Sequence, residues 1–206
     1  MTRRPLPRLH AVTDAAVLAL DDLGVRAAAL ASAGSAIALH VRDRAATGRA
    51  LAAAAQRLAA LARPAEAAVF VNGRPDLAAA IGGHGVQLAA DDLAPAAARR
   101  LLPQGWIGRS VHSRAEAEAA QREGADYLLV GSVFETPSHP GRAPAGLELV
   151  RDCAALGLPV IAIGGMTPAR AVEAREAGAW GVAAIRGLWL APDPARAAME
   201  FLNAWT

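Results

Sequence analysis

The sequence predicts an α/β fold in which a single-domain (β/α)8 TIM barrel spans residues 1–206. Short apolar runs recur along the chain at intervals of roughly 20 to 30 residues, and stretches with helical periodicity separate them. Polar residues cluster just after each run, where the active sites of such barrels lie. Because the runs are too short and too evenly spaced for two domains, the pattern favours a barrel, with a doubly wound open sheet as the alternative.

The eight apolar runs are the predicted strands. They are continuous and rich in Val, Ile and Leu, as parallel strands covered on both faces should be. In chain order they are Leu9–Thr13, Ala36–Val41, Ala67–Asn72, Gly85–Leu88, Trp106–Ser110, Tyr127–Gly131, Pro159–Ile163 and Gly181–Ile185.

The helices between them carry start and stop signals. The periodicity is clearest over Gly48–Ala62, Arg114–Glu123 and Pro168–Ala177. Ser113 begins a Ser-Arg-Ala-Glu capping box, and Thr167 precedes a proline; both patterns are typical of helix N-termini. Gly124 and Gly178 stand where two of these helices should end.

The composition indicates an ordinary globular protein. Apolar residues make up 54% of the 206 residues and charged residues 19%, which argues against disorder. No apolar run approaches the roughly 18 residues of a membrane span, and no secretory signal is visible. The single cysteine, Cys153, cannot form an internal disulfide bond. We therefore expect a cytoplasmic protein with no membrane partner.

The basic residues do not predict a nucleic-acid partner. The isoelectric point is near 9.4, but the net charge is only +2, and all 21 basic residues are arginines. They are scattered along the chain, with Arg3-Arg4 and Arg99-Arg100 as the adjacent pairs. A nucleic-acid binder would gather such charge on one face.

The end of the seventh strand predicts a phosphate site. Residues 161–165 read Ile-Ala-Ile-Gly-Gly, and the start of a helix follows Gly164 and Gly165. The first N–H groups of a helix lack partners within it, and the helix dipole favours an anion there. In TIM barrels the loops after strands seven and eight commonly hold phosphate, which adds Ile185, Arg186 and Gly187 to the predicted site.

Polar residues at the other strand ends extend this predicted site. Arginines follow several strands, and a guanidinium group matches phosphate or carboxylate oxygens. The alternative is that one or two of them pair with rim carboxylates at Asp14, Asp43 or Asp76. The further candidates for binding substrate are Arg42, Arg44, Asn72, Ser110 and Thr136.

His112 is the candidate catalytic residue. It lies two residues past a predicted strand end, between Val111 and Ser113, and an imidazole can both take and return a proton near neutral pH. His10 and His40 fall inside strands and are expected to be packed or hydrogen-bonded. His84 precedes the fourth strand, at the end of the barrel opposite the chemistry.

No metal site is predicted. Asp91 and Asp92 follow the fourth strand, but Gly73 follows Asn72 where a second carboxylate could complete a Mg²⁺ site.

The irregular segment Glu135–Ala145 is long for a compact barrel, which is typical of a functional lid.

Eight segments, in this order along the chain, resemble the thiamin phosphate synthase/TenI superfamily of small barrels. The resemblance covers nearly the whole chain and implies a homo-oligomer. The segments are Leu9–Asp14, Leu39–Arg44, Val71–Ala78, Gly85–Leu88, Gly108–Ser113, Gly124–Tyr127, Val133–Thr136 and Ile161–Pro168.

The superfamily has two enzymatic branches. The synthase branch joins a pyrimidine diphosphate to a thiazole phosphate, and its pattern implies Mg²⁺ and lysines at the diphosphate. This chain has Gly73 and Arg44 where that pattern has an aspartate and a lysine, and it runs Thr136-Pro-Ser-His139 where the pattern ends in lysine. The TenI branch is the better match, and it implies no metal or other cofactor.

The resemblance therefore implies a TenI-like thiazole tautomerase, an isomerase that aromatises a carboxythiazole phosphate by proton transfer. His112 would move the proton from the ring carbon to the exocyclic carbon, and the glycine turn at Gly164 and Gly165 would hold the phosphate. Two alternatives remain: a thiamin phosphate synthase, which would need Mg²⁺, and a non-catalytic regulatory protein of the TenI type.

Overall fold

The computed structural model describes residues 4–136 and 143–206. Parallel strands in these residues close into a barrel in chain order, with β8 paired to β1. This closure confirms the TIM barrel and excludes the open sheet. The strands are Leu9–Val12 (β1), Ile37–Val41 (β2), Ala68–Asn72 (β3), Gly85–Leu88 (β4), Trp106–Val111 (β5), Tyr127–Val130 (β6), Val160–Ile163 (β7) and Gly181–Ala184 (β8).

Helices follow the strands on the outside of the barrel. The longer ones are Leu23–Ala31 (α2), Gly48–Ala62 (α3), Arg114–Arg122 (α6), Gly146–Ala154 (α7), Pro168–Glu176 (α8) and Pro194–Leu202 (α10). The shorter ones are Ala15–Leu18 (α1), Pro75–Ala80 (α4), Pro95–Leu101 (α5) and Arg186–Trp189 (α9), and 3-10 turns cover Gly34–Ala36, Arg63–Ala65 and Asn203–Trp205. No helix in the described ranges is long and apolar enough to span a membrane.

The predicted strand bounds differ from the observed ones by a residue at several ends, because neighbouring turns take those residues. Ala36 belongs to a 3-10 turn before β2, and Ile185 is the N-cap of α9. β5 runs one residue further than predicted, to Val111. These shifts leave the order of strands and helices unchanged.

The helix signals are confirmed. The side chain of Ser113 accepts a hydrogen bond from the backbone N–H of Glu116, and that of Thr167 accepts one from Arg170. The Glu116 carboxylate reaches back to the backbone N–H of His112 at 2.8 Å, one residue before the N-cap. Gly124 ends α6 with a φ of +86°, a conformation that favours glycine.

The core has two parts, and they separate along each strand because alternate side chains face opposite sides. One part lies between the sheet and the helices, and it holds Leu39, Val71 and Leu128. The other fills the barrel interior, where Phe70 and Tyr127 are fully buried.

The N-terminal segment covers the barrel at the N-terminal ends of the strands. The indole N–H of Trp180 donates to the carbonyl of Leu6 at 3.1 Å, and that of Trp106 donates to the carbonyl of Arg4 at 2.9 Å. The guanidinium of Arg8 lies 3.6 Å from the centre of the Trp180 ring. The C-terminal ends of the strands are therefore the open end of the barrel.

Gly108 in β5 is expected to tolerate no side chain. A Cβ there would overlap the ring of Tyr127 and the side-chain oxygen of Gln87 inside the barrel. Overpacking a buried site costs about 1–3 kcal/mol, so Gly108→Ala should lower the free energy of unfolding by at least that amount in a urea titration. In α2, a Cβ at Gly24 would meet only the end of the flexible Arg57 side chain at 3.3 Å, so Gly24→Ala should not destabilise. Equal stability of the two variants would contradict this packing.

Candidate active site at the open end of the barrel

The structure brings the predicted site residues to the C-terminal ends of the strands. Asn72 is the last residue of β3, Ser110 lies in β5 near its end, and His112 directly follows β5. Gly164 and Gly165 follow β7, and the residues after β8 begin α9. Because all strands are parallel, these positions share one end of the barrel, which we call the mouth.

The two glycines after β7 form a tight turn against the segment that follows β6. Gly164 has a φ of +103°, and a Cβ there would lie 2.6 Å from Cβ of Ser132. Gly165 has a φ of +63°, and a Cβ there would overlap the carbonyl oxygen of Glu135. α8 starts at Pro168, as the cap signal at Thr167 predicted, so the helix does not begin directly after the two glycines. The glycines therefore present backbone from a turn rather than from a first helical turn.

The residues after β8 complete this side of the mouth. Ile185 is the N-cap of α9, and Arg186 and Gly187 are exposed. The position of a Cβ on Gly187 lies 3.6 Å from the carbonyl oxygen of Met166. The turns after β7 and β8 are thus neighbours, as the predicted phosphate site requires.

Arg170 is a residue of this turn that the sequence did not reveal. Its guanidinium donates to the carbonyl of Gly165 at 2.6 Å and lies 4.7 Å from the centre of the Phe134 ring. It therefore ties the glycine turn to the segment after β6 and adds positive charge beneath it. In the sequence Arg170 is one of two arginines on the predicted helix Pro168–Ala177, and its position three residues after the N-cap Thr167 is the signal that could have found it.

Arg42 is the best-anchored of the predicted arginines. Its backbone N–H donates to the hydroxyl of buried Thr13 at 2.8 Å, and that hydroxyl donates to the Arg42 carbonyl at 3.1 Å. Burial and the charge of Arg44 lower the pKa of Arg42, while Asp14 and Asp43 oppose this. An arginine stays charged at neutral pH even so, which gives the mouth a cation partly shielded from water.

Two other arginines are held by carboxylates at the rim. Arg74 makes a two-point contact with Asp76, at 2.8 and 2.6 Å, which confirms that a rim pair of the expected kind exists. Arg44 pairs with Asp91 at 3.1 Å, and both side chains are exposed. Exposed pairs are weak, so an anionic ligand could compete for Arg44.

His112 is exposed at the mouth and is oriented by its own neighbours. Its Nδ1 makes a short contact with the carbonyl oxygen of Gly131. A carbonyl only accepts, so Nδ1 carries the hydrogen, and the neutral ring has its lone pair on Nε2. The histidine is thereby held in the tautomer that a general base needs.

Asp92 is the carboxylate that lies beside Gly73, where the pattern of the synthase branch implies a metal ion. Oδ2 of Asp92 accepts from the backbone N–H of Ala89 at 2.7 Å. Its Oδ1 lies 3.1 Å from the position of a Cβ on Gly73, whose φ is +71°. Asp91 is engaged by Arg44. Within residues 4–136 and 143–206, no three His, Cys, Asp or Glu side chains are grouped so that they could hold a metal ion.

Ser110 and Thr136 are the two further polar residues of the predicted site. The side-chain amide of buried Gln87 donates to the hydroxyl of Ser110 at 3.0 Å, so Ser110 is held in place from β4. Thr136 is half-buried and lies next to the described boundary. The predicted lid, Glu135–Ala145, falls largely on residues 137–142, which lie outside the described residues.

A cavity of about 650 Å³ lies at the opposite end of the barrel, lined by Phe70, His84 and Trp106 among others. His84 is there as predicted, and its Nδ1 accepts from the backbone N–H of Val69 at 3.2 Å. The predicted arginines Arg42, Arg44 and Arg186, the glycine turn and His112 are at the mouth, so we place the candidate site at the mouth and not in this cavity.

A family model described as thiamine monophosphate synthase (TMP-TENI) matches residues 9–188, which include all eight strands and every predicted site residue. The chain belongs to this family. The superfamily predicted from the sequence is thus confirmed. The match does not separate the synthase from the TenI branch.

Individual relatives of the thiamine monophosphate synthase family bear on that choice. The chain is 48% identical over 145 residues to thiamine-phosphate synthase of Thermus thermophilus, covering 69% of this chain and 70% of the relative. It is 37% identical over 196 residues to thiamine-phosphate synthase of Chloroflexus aurantiacus, covering 94% and 90%. A solved structure of thiamine phosphate pyrophosphorylase from Pyrococcus furiosus superposes with a TM-score of 0.81, at 33% identity, covering 98% of this chain and 96% of that one. These names favour the synthase alternative over the tautomerase.

Proposed function

We propose that the chain is an enzyme of thiamine biosynthesis that joins a pyrimidine diphosphate to a thiazole phosphate. The similarity to the Chloroflexus synthase carries this proposal, because it extends over 94% of the chain and includes the whole mouth. In this reaction the bond between the pyrimidine methylene carbon and the diphosphate oxygen breaks, and its electron pair leaves with the diphosphate. The thiazole nitrogen forms the new bond to that carbon.

The two sides of the mouth would bind different substrate groups. The turns after β7 and β8, at Gly164–Gly165 and Ile185–Gly187, would bind the thiazole phosphate through backbone N–H groups. Arg42 and Arg44 would face the diphosphate, since guanidinium groups match its oxygens and balance the charge that develops on leaving. Asn72, Ser110 and Thr136 would contact the rest of the substrates. The diphosphate and the thiazole would thus meet near the barrel axis.

The residues present do not fit the magnesium site that the synthase branch implies. Such a site usually joins one or two carboxylates to phosphate oxygens. Here Asp92 is one carboxylate, Gly73 offers no second, and Asp91 is paired with Arg44. We therefore assign no step of the reaction to a metal ion.

Thiazole tautomerase is the second candidate function, and a specific observation favours it. The contact of His112 with the Gly131 carbonyl leaves Nε2 as a base at the mouth, and proton transfer within a carboxythiazole phosphate needs no diphosphate clamp. The absence of lysine from the whole sequence and the glycine at position 73 also favour the tautomerase, because the synthase pattern implies lysines and an aspartate at the diphosphate. The phosphate would still bind at the turns after β7 and β8.

Two assays on the same preparation separate the candidates. The first supplies the pyrimidine diphosphate and the thiazole phosphate and follows diphosphate release with thiamine phosphate formation. The second supplies the non-aromatic carboxythiazole phosphate alone and follows formation of the aromatic ring. The proposal expects turnover in the first assay. Turnover in the second assay alone would assign the tautomerase, and no turnover in either would refute both functions.

Gly73→Asp is expected to make thiamine phosphate formation respond to Mg²⁺. The Cβ of the new side chain would lie 3.1 Å from Oδ1 of Asp92, and aspartate tolerates a positive φ better than most residues. Two adjacent carboxylates with substrate oxygens make a magnesium site. We expect Mg²⁺ to raise the rate of this variant on the order of tenfold, because affinity depends strongly on ligand charge.

Gly73→Asn is the matched control, since its side chain has the same size and no charge. It should show no added response to Mg²⁺. An equal response of both variants, or of neither, would mean that residue 73 does not face the metal position beside Asp92.

A further inference from the structure

Three side chains form a hydrogen-bonded line from the barrel interior to the mouth. Nε2 of His10 lies 3.1 Å from the carbonyl oxygen of Pro7, and Nδ1 of His10 lies 2.7 Å from Nε2 of His40. Nδ1 of His40 lies 3.1 Å from the side-chain oxygen of Asn72. His10 and His40 are 0% and 1% exposed, whereas Asn72 is half-buried at the end of β3.

The contact with Pro7 sets the direction of the line, that is, which of the two atoms in each hydrogen bond donates the hydrogen. The Pro7 carbonyl can only accept, so Nε2 of His10 carries a hydrogen. Burial, followed by the neighbouring His40, lowers the pKa of His10 well below its ordinary value, and burial lowers the pKa of His40 to about 4. Both rings are therefore neutral near pH 7, with one N–H each.

Because both rings are neutral, they determine which group of the Asn72 amide faces Nδ1 of His40. Since Nδ1 of His10 has no hydrogen, it accepts from Nε2–H of His40, and Nδ1 of His40 is left as an acceptor. An amide oxygen facing that acceptor would be repelled. The NH2 group satisfies it instead, after a half-turn of the amide about its terminal bond, which exchanges oxygen and nitrogen at the same position.

We propose that His10 and His40 are positioning residues that make Asn72 present its amide oxygen to the mouth. The substrate group next to Asn72 is then one that donates a hydrogen bond, such as a ring amino group, and a group with only acceptors is disfavoured. This specificity rests on the proposed function to the extent that Asn72 contacts substrate. The direction of the line does not depend on it.

The direction can be measured without substrate. Nitrogen NMR of the full chain with labelled histidine, assigned with His10 and His40 variants, should show the hydrogen on Nε2 and none on Nδ1 in both rings near neutral pH. A hydrogen on Nδ1 of His40 would overturn the proposal.

Asn72→Asp tests the last contact by the same method. A carboxylate offers only acceptors, so Nδ1 of His40 should take up a proton, and the pKa of His40 should rise by about 1–3 units, as for other buried groups facing an opposite charge. Asn72→Ala should not raise it in this way. An unchanged titration of His40 in the aspartate variant would contradict a direct contact with residue 72.

Activity separates positioning from packing. His10→Phe keeps a ring beside Phe70 and Tyr127, whose centroids lie 5.6 and 5.9 Å from that of His10, but it removes the acceptor for His40. We expect KM to rise about tenfold, the effect of one lost hydrogen bond, with kcat nearly unchanged.

Tyr127→Phe is the matched control in the same aromatic cluster. The Tyr127 hydroxyl has no hydrogen-bond partner among the described residues, and it lies off the line, so KM should stay the same. An equal rise in both variants would reduce the histidine pair to packing and overturn the proposal. If neither assay shows turnover, the proposed function fails, and the NMR result still decides the direction of the line.

Discussion

Gly165→Ala is expected to lower kcat/KM for a thiazole phosphate by on the order of 100-fold, the effect of misplacing a bound group by about 1 Å. A Cβ at this position would overlap the Glu135 carbonyl and lie 2.9 Å from Cβ of Phe134. The φ of +63° adds strain for any side chain. The turn must therefore move, and the backbone N–H groups that we propose for phosphate binding move with it. Steady-state kinetics with the thiazole phosphate as the varied substrate measure the loss.

Gly157→Ala is the control for strain without a clash. Gly157 has a φ of +84°, and a Cβ there meets nothing within 4 Å. It follows α7 on the outside of the barrel, away from the mouth. This variant should lose some stability and keep its kcat/KM. If Gly165→Ala keeps full activity, the turn after β7 does not position the phosphate.

His112→Ala is expected to lower any thiazole tautomerase rate by about 10²–10⁴-fold, which is the usual contribution of a positioned acid–base group. Formation of thiamine phosphate should fall far less, because in the proposed joining reaction a carbon–oxygen bond breaks and a carbon–nitrogen bond forms without a proton transfer by His112. Single-turnover rates in the two assays measure the difference directly.

His112→Asn sharpens this comparison. The asparagine NH2 can replace Nδ1–H in the bond to the Gly131 carbonyl, but the side chain has no basic nitrogen. It should be as defective as His112→Ala in the tautomerase reaction, with the local structure preserved. Retention of the rate by His112→Asn would show that His112 orients the segment after β6 and does not transfer a proton.

Local sequence patterns predict the fold well, because strands and caps depend on near neighbours. Continuous apolar runs mark the strands, and Ser113 and Thr167 cap helices as their spacing indicates. The strand order follows from the alternation with helices, since each parallel pair needs a crossover. The position of the site at the mouth follows from the same topology.

Contacts between distant residues could not be predicted in this way. The line from His10 through His40 to Asn72 joins residues of three different strands, about 30 residues apart along the chain at each step. No periodicity reports which ring nitrogen meets which partner. The residue types at His10 and His40 are visible in the sequence, but their burial and mutual distance depend on the register between β1 and β2.

The choice between the two branches shows another limit. Gly73, Arg44 and the absence of lysine in the sequence favour the tautomerase, whereas identity over most of the chain favours the synthase. A few substitutions at the mouth weigh little in overall similarity. They act directly on charge, and charge at the mouth decides whether a diphosphate can leave.

A crystal structure of the chain with a thiazole phosphate bound is the most direct test, because both candidate functions depend on the same phosphate site. We predict that the phosphate oxygens lie within about 3 Å of the backbone nitrogens of Gly165 and Gly187, as hydrogen bonds require. The ring should then point toward Asn72 and His112. A phosphate bound instead in the cavity lined by His84 and Trp106 would contradict the assignment of the site to the mouth.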